Sequence, residues 1–122
     1  MGQATSVAII DDDASLCRSL ARLLKLAGYE SCAFASAEEF LADSKRGRFT
    51  CALVDIQLGG MSGLEMQRAL NAQGDRTPLI FVTAHDEPAT RAEAMQGGAA
   101  GFWSKSDDGA RIMDAVRQVT KS

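Results

Sequence analysis

The sequence predicts an α/β fold, a parallel sheet of five strands covered by helices on both faces. Three observations predict it. Short apolar runs alternate along the whole chain with longer segments whose apolar residues recur at helical spacing. The short runs are continuous in apolar character, as strands buried on both faces are. Strands that alternate with helices of this length favour right-handed crossover connections and parallel pairing.

Each element follows in order. Val7-Ala8-Ile9-Ile10 is an apolar run that ends in acids, and it predicts the first strand. Leu16, Leu20, Leu23, Leu24 and Ala27 keep helical spacing, and Gly28 stops that helix. Ser31 to Ala35 is the second strand. Ser36-Ala37-Glu38-Glu39 has the pattern of a capping box and opens a helix carrying Phe40 and Leu41. Cys51 to Val54 is a third buried strand, ending at Asp55. A glycine-rich loop (Gly59, Gly60, Gly63) leads into a second capping pattern, Ser62-Gly63-Leu64-Glu65, with Met66, Ala69 and Leu70 behind it. Pro78 introduces a fourth strand, Leu79 to Val82, ending at Thr83. The polar helix that follows has Ala92 and Met95 as its expected inner face and closes at Gly97-Gly98. Ala100 to Ser104 is the fifth strand, ending at Lys105, and Ile112, Ala115, Val116 and Val119 give the last helix its apolar stripe.

At 122 residues the chain fits one domain, and 46% hydrophobic with 24% charged residues is the balance of a folded globular chain. A net charge of −3 with no basic run gives no footprint for nucleic acid. No apolar stretch approaches the ~20 residues that span a bilayer. The first six residues carry no Lys or Arg and do not read as a signal peptide. Cys17, Cys32 and Cys51 are odd in number and widely spaced, which argues for buried free thiols and a cytoplasmic setting rather than for disulfides or zinc.

In open α/β sheets ligands bind beyond the carboxyl ends of the strands, where strand order reverses. Here the first strand is followed by Asp11-Asp12-Asp13, the third by Asp55, the fourth by Thr83 and the fifth by Lys105. In the flavodoxin-like order 2-1-3-4-5 the first and third strands are neighbours, which brings Asp11, Asp12 and Asp55 together with Thr83 and Lys105 beside them. Carboxylates held that close repel by about 1 kcal/mol or more per pair even in water, so the cluster calls for a cation. Mg²⁺ suits oxygen-only ligands, and no histidine or cysteine stands at these strand ends. A carboxylate can attack phosphorus, and a cation, a lysine ammonium and a hydroxyl are the groups that offset the repulsion between two anions. The parts present are those of phosphoryl transfer.

Ile9-Ile10-Asp11-Asp12-Asp13, Leu53-Val54-Asp55-Ile56-Gln57-Leu58 with Gly60-Met61-Ser62-Gly63, Phe81-Val82-Thr83-Ala84 and Phe102-Trp103-Ser104-Lys105 together resemble response-regulator receiver domains, in order and over essentially the whole chain. The resemblance implies Asp55 as phospho-acceptor. It implies Mg²⁺ bound by Asp12, Asp55 and the backbone carbonyl of Gln57, with Asp11 acting through water, and Thr83 and Lys105 on the phosphoryl oxygens. It also implies Phe102 as an aromatic switch, its ring turning into space vacated when Thr83 moves inward and so repacking the face of the fourth helix, fifth strand and fifth helix. Phe102 reads equally as core packing. The implied partners are a histidine kinase or phosphotransfer protein as donor, with a second copy or an effector domain on the switching face. Residues 1–122 would form one receiver domain, whole in itself or part of a longer regulator.

Two positions depart from the resemblance. Gly59 replaces a proline common in such loops, and Ser106 follows Lys105 where relatives usually have proline after a cis peptide. Looser coupling of Lys105 and faster exchange around it are expected from the second. Gln57 and His85 are expected to flank the path of hydrolytic water. A rival reading, a small haloacid-dehalogenase-like phosphatase, would use Asp11 as nucleophile and Asp13 as acid/base, but leaves Asp55 without a role and the chain without a cap segment. Asp13 reads better as a helix cap.

Overall fold

The computed structural model describes residues 5–120. Its elements run β1 (Ser6–Ile10), α1 (Ala14–Leu26), β2 (Glu30–Phe34), α2 (Ala37–Ala42), a 3₁₀ turn (Arg46–Arg48), β3 (Cys51–Val54), α3 (Gly63–Ala72), β4 (Leu79–Thr83), α4 (Pro88–Gln96), β5 (Gly101–Ser104) and α5 (Gly109–Thr120). The strands form one parallel sheet in the order β2-β1-β3-β4-β5. This is the predicted architecture, and β1 and β3 are adjacent, with Ile10 opposite Val54.

Alternation along the strands divides the core into two layers. Val7, Ile9, Leu53, Ile80 and Val82 face α1 and α5, where Leu20, Leu24, Ile112 and Val116 meet them. Ala8, Ile10, Val54 and Phe81 face the other way, onto Phe40, Met66, Leu70 and Ala94 of α2, α3 and α4. The central strands are buried on both faces, which explains their continuous apolar character. Gly28 ends α1 with φ at +94°, a conformation that favours glycine.

The structure corrects some details. β2 starts at Glu30 and β5 at Gly101, so Ala35 and Ala100 lie outside the strands. Ala94 is the buried residue of α4, whereas Ala92 and Met95 face solvent. Too few apolar residues in this polar helix fix its rotational phase, and small Ala94 allows the close approach to α3 instead. At α2 the box is half formed: Ser36 caps the Glu39 amide, but the Glu39 carboxylate accepts from Ala35. The box at α3 is complete, Ser62 and Glu65 each accepting the other's amide proton. All three cysteines are free, with Cys17 and Cys51 buried and Cys32 only half-buried on the edge strand β2. Among the described residues no helix is long and apolar enough to cross a membrane.

Candidate functional site

The predicted residues converge beyond the carboxyl ends of β1, β3, β4 and β5. Backbone pairing places them: the Asp55 amide donates to Ile10 and the Lys105 amide to Thr83, each extending a strand pair by one residue. One carboxylate oxygen from each of Asp11, Asp12 and Asp55 lies within 4.8 Å of the others. Asp11 and Asp55 are buried, each 4% exposed, and Asp12 faces solvent. Lys105 reaches in from the far side, with Nζ 3.0 Å from Asp55 Oδ2 and 3.2 Å from Asp11 Oδ2.

Local hydrogen bonds orient the acids. The Asp13 amide donates to Asp11 Oδ1 at 2.8 Å, and the Gln57 amide donates to Asp55 Oδ1 at 3.3 Å. Burial is the main cause that pushes the Asp11 carboxyl above its ordinary range, and the Asp55 charge adds to it against the Asp13 amide and Lys105. Burial opposes the Lys105 ammonium, but its bonds to Asp55 and Asp11 prevail and the net shift is upward. The Asp13 side chain accepts from the Leu16 amide as the N-cap of α1. Asp13 is therefore a cap, as expected, and is engaged away from the acid/base role the phosphatase reading requires.

Thr83 is fully buried at the end of β4, and its hydroxyl oxygen accepts from the His85 amide at 3.0 Å. That bond leaves the hydroxyl proton available to donate. His85 itself is exposed, as is Gln57. Phe102 is buried, its centroid 6.2 Å from that of Phe81, and the Arg91 guanidinium of α4 lies 5.0 Å above the ring. The ring thus already occupies an inward position.

No peptide bond among the described residues is cis, so Lys105–Ser106 is trans. The turn after it is held by side chains: the Ser104 amide donates to Asp107 Oδ2 at 2.8 Å, and the Ser106 amide to Ser104 Oγ at 3.2 Å. Sequence reasoning missed Asp107, Arg91 and Glu38, the last of which holds the loop beside Asp55. Contacts between separate elements reveal Arg91 and Glu38, and Asp107 shows itself only in the geometry of its local turn with Ser104.

The model of the response regulator receiver domain family matches residues 7–117. The chain belongs to this family. The receiver domain is 38% identical over 117 residues to the transcriptional regulatory protein FixJ of Azorhizobium caulinodans, covering 96% of this chain and 56% of that protein. It is 36% identical over 115 residues to nodulation protein W of Bradyrhizobium diazoefficiens, covering 94% and 51%. The crystal structure of FixJ-N superposes with a TM-score of 0.88 at 31% identity, over 98% of this chain and 96% of that one. The receiver domain spans about half the length of the curated relatives it matches. It is a receiver of two-component signalling, a signalling switch, and the phosphatase reading finds no support in these similarities.

Proposed function

We propose that Asp55 is the phosphoryl acceptor of this receiver and that Mg²⁺ is the cation of its site. One observation carries the proposal: three carboxylates gather at adjacent strand ends with the Lys105 ammonium bridging two of them. The donor set fits the cation, since it is all oxygen and includes one exposed carboxylate through which a hydrated ion can enter. Mg²⁺, when bound, supplies the positive charge that lets an anionic donor approach an anionic nucleophile. Asp11, Asp12, Asp55 and the Gln57 backbone carbonyl would hold it, with Asp11 the more remote partner.

An Asp55 oxygen forms the new O–P bond as the N–P bond of a phosphohistidine breaks and the imidazole takes up a proton. The donor is a histidine kinase or phosphotransfer protein. Lys105 neutralises charge on the phosphoryl oxygens, and the Thr83 hydroxyl donates to one of them. Because these groups belong to the receiver, it also catalyses transfer from small phosphodonors and its own dephosphorylation, whose rate Gln57 and His85 tune. Movement of Thr83 changes the packing of Phe102 and shifts the α4-β5-α5 face, which engages a second copy or an effector domain. The site faces the cytoplasm, where such donors are found.

Incubation with acetyl phosphate or phosphoramidate and Mg²⁺, followed by peptide mapping of the acyl-phosphate, tests the assignment. The modification is expected on Asp55, lost with a chelator and absent in Asp55→Asn. An acyl-phosphate on Asp11, or none in the presence of Mg²⁺, overturns it.

A further inference from the structure

The loop between β3 and α3 runs beside the acidic pocket: a Cβ placed on Gly59 would lie 3.9 Å from Asp12 Oδ2. The same loop carries the Gln57 carbonyl. Gly59 and Gly60 give it little intrinsic stiffness. Its tether comes from another element. Glu38, in the first turn of α2, reaches across so that Oε2 accepts the Met61 amide proton at 2.8 Å. That bond holds the Glu38 carboxyl below its ordinary range.

Gly60 is shaped to this contact. A Cβ there would come within 2.7 Å of Glu38 Oε2 and 3.3 Å of its Cδ and Oε1. The φ of Gly60 is not positive, so its backbone is open to other residues and the absent side chain serves space. The adjacent glutamates divide the work: Glu39 closes its own turn through the Ala35 amide, and Glu38 spans to the next loop. Neither contact belongs to the acceptor or metal groups themselves.

We propose that Glu38 is a positioning residue for the phosphorylation site, its carboxylate strapping the β3–α3 loop and so fixing the Gln57 carbonyl and Gly59 against the acidic pocket. This role rests on the proposed Mg²⁺-dependent function of that pocket. Its loss loosens the loop, and the affinity for the cation falls with it. The global fold does not depend on the strap, because Glu38 is exposed and the bond lies at the surface, while the half-buried Met61 side chain keeps its own packing on the core.

The test compares Glu38→Ala, Glu38→Gln and Gly60→Ala with the wild-type chain. Amide hydrogen exchange at Met61 is read without metal, Mg²⁺ affinity by titration calorimetry, and global stability by thermal unfolding. Glu38→Ala is expected to speed Met61 exchange about threefold to tenfold, the scale of one lost hydrogen bond. Mg²⁺ affinity is expected to fall by about tenfold, the lower end for partners that orient metal ligands. Glu38→Gln keeps an acceptor oxygen and restores most of both, and Gly60→Ala reproduces the loss with the glutamate charge intact.

Unchanged Met61 exchange in Glu38→Ala overturns the strap. Faster exchange with unaltered Mg²⁺ affinity overturns the positioning role while the site's function stands. An affinity that follows charge, weak in Glu38→Gln and normal in Gly60→Ala, overturns it as well. A wild-type chain that binds no Mg²⁺ overturns the functional reading and the positioning role together.

Discussion

Replacing Gly63 with alanine sets two effects of opposite sign against each other. Gly63 is the first residue of α3, and by helix propensity alone alanine would stabilise the helix by up to about 1 kcal/mol. Its φ is not positive, so alanine meets no conformational barrier. Yet the added Cβ would lie 2.3 Å from the Asp55 carbonyl oxygen, 3.1 Å from its carbon and 3.2 Å from Ile56 Cα. All three are backbone atoms, so no side chain can swing aside, and roughly 1 Å of main-chain displacement is needed. Overpacking of this kind costs about 1–3 kcal/mol, which outweighs the propensity gain. The displaced peptide is that of Asp55 itself, and a shift of about 1 Å in a reacting group can cost on the order of 100-fold in rate. Thermal unfolding should therefore show Gly63→Ala below wild type by a few °C. Phosphorylation of Asp55 from acetyl phosphate should slow far more than that destabilisation accounts for. A variant as stable as wild type or more so, phosphorylated at the wild-type rate, would refute the close-packing reasoning.

Two further substitutions separate stability from function. Asp11→Asn removes a buried charge that faces Asp55, and is expected to raise the unfolding temperature at neutral pH by about 2–5 °C while weakening Mg²⁺ binding in calorimetry. Because the folded-state pKa of Asp11 lies above the ordinary 3.8, the native chain holds that proton more tightly. Its stability contribution therefore declines as pH rises through this window, and the variant's advantage should vanish in acid, where both states are protonated. Gln67→Leu deletes the buried bond from Gln67 Nε2 to the Ala94 carbonyl at 2.9 Å, although the Ala99 amide still serves that carbonyl. A loss of about 1 kcal/mol is expected in urea unfolding, with faster amide exchange confined to the last turn of α4.

The strand ends were legible because a strand imposes direction and period: once Val7–Ile10, Cys51–Val54 and Leu79–Val82 are recognised, Asp11, Asp55 and Thr83 must emerge at one edge. Their neighbourhood then follows from strand order alone. The phase of α4 was not legible, because Ala92, Ala94 and Met95 offer nearly equal apolar weight and the choice among them is made by α3. Gln67 and Asn71 of α3 donate to the Ala94 and Gly97 carbonyls, and these bonds fix which side of α4 turns inward. The partners Glu38 and Met61 lie 23 positions apart and in different elements, so no local pattern marks them.

The two positions that depart from the resemblance share a physical solution. Proline restrains a loop covalently, by fixing φ in folded and unfolded chains alike. Here the β3–α3 loop is held by Glu38 and the β5–α5 turn by Ser104, Ser106 and Asp107, all through hydrogen bonds that exist only in the folded state. Such bonds contribute comparable restraint while closed, and Lys105 does reach Asp55 and Asp11 despite its trans peptide. They differ in being breakable without unfolding the domain. Local opening of either loop would change the setting of the Gln57 carbonyl or of Lys105 while the central strands stay paired. In the closed turn the ammonium stands 3.0 Å from Asp55 Oδ2 and 3.2 Å from Asp11 Oδ2, and its coupling to the site is expected to last as long as the Ser104–Asp107 bonds do.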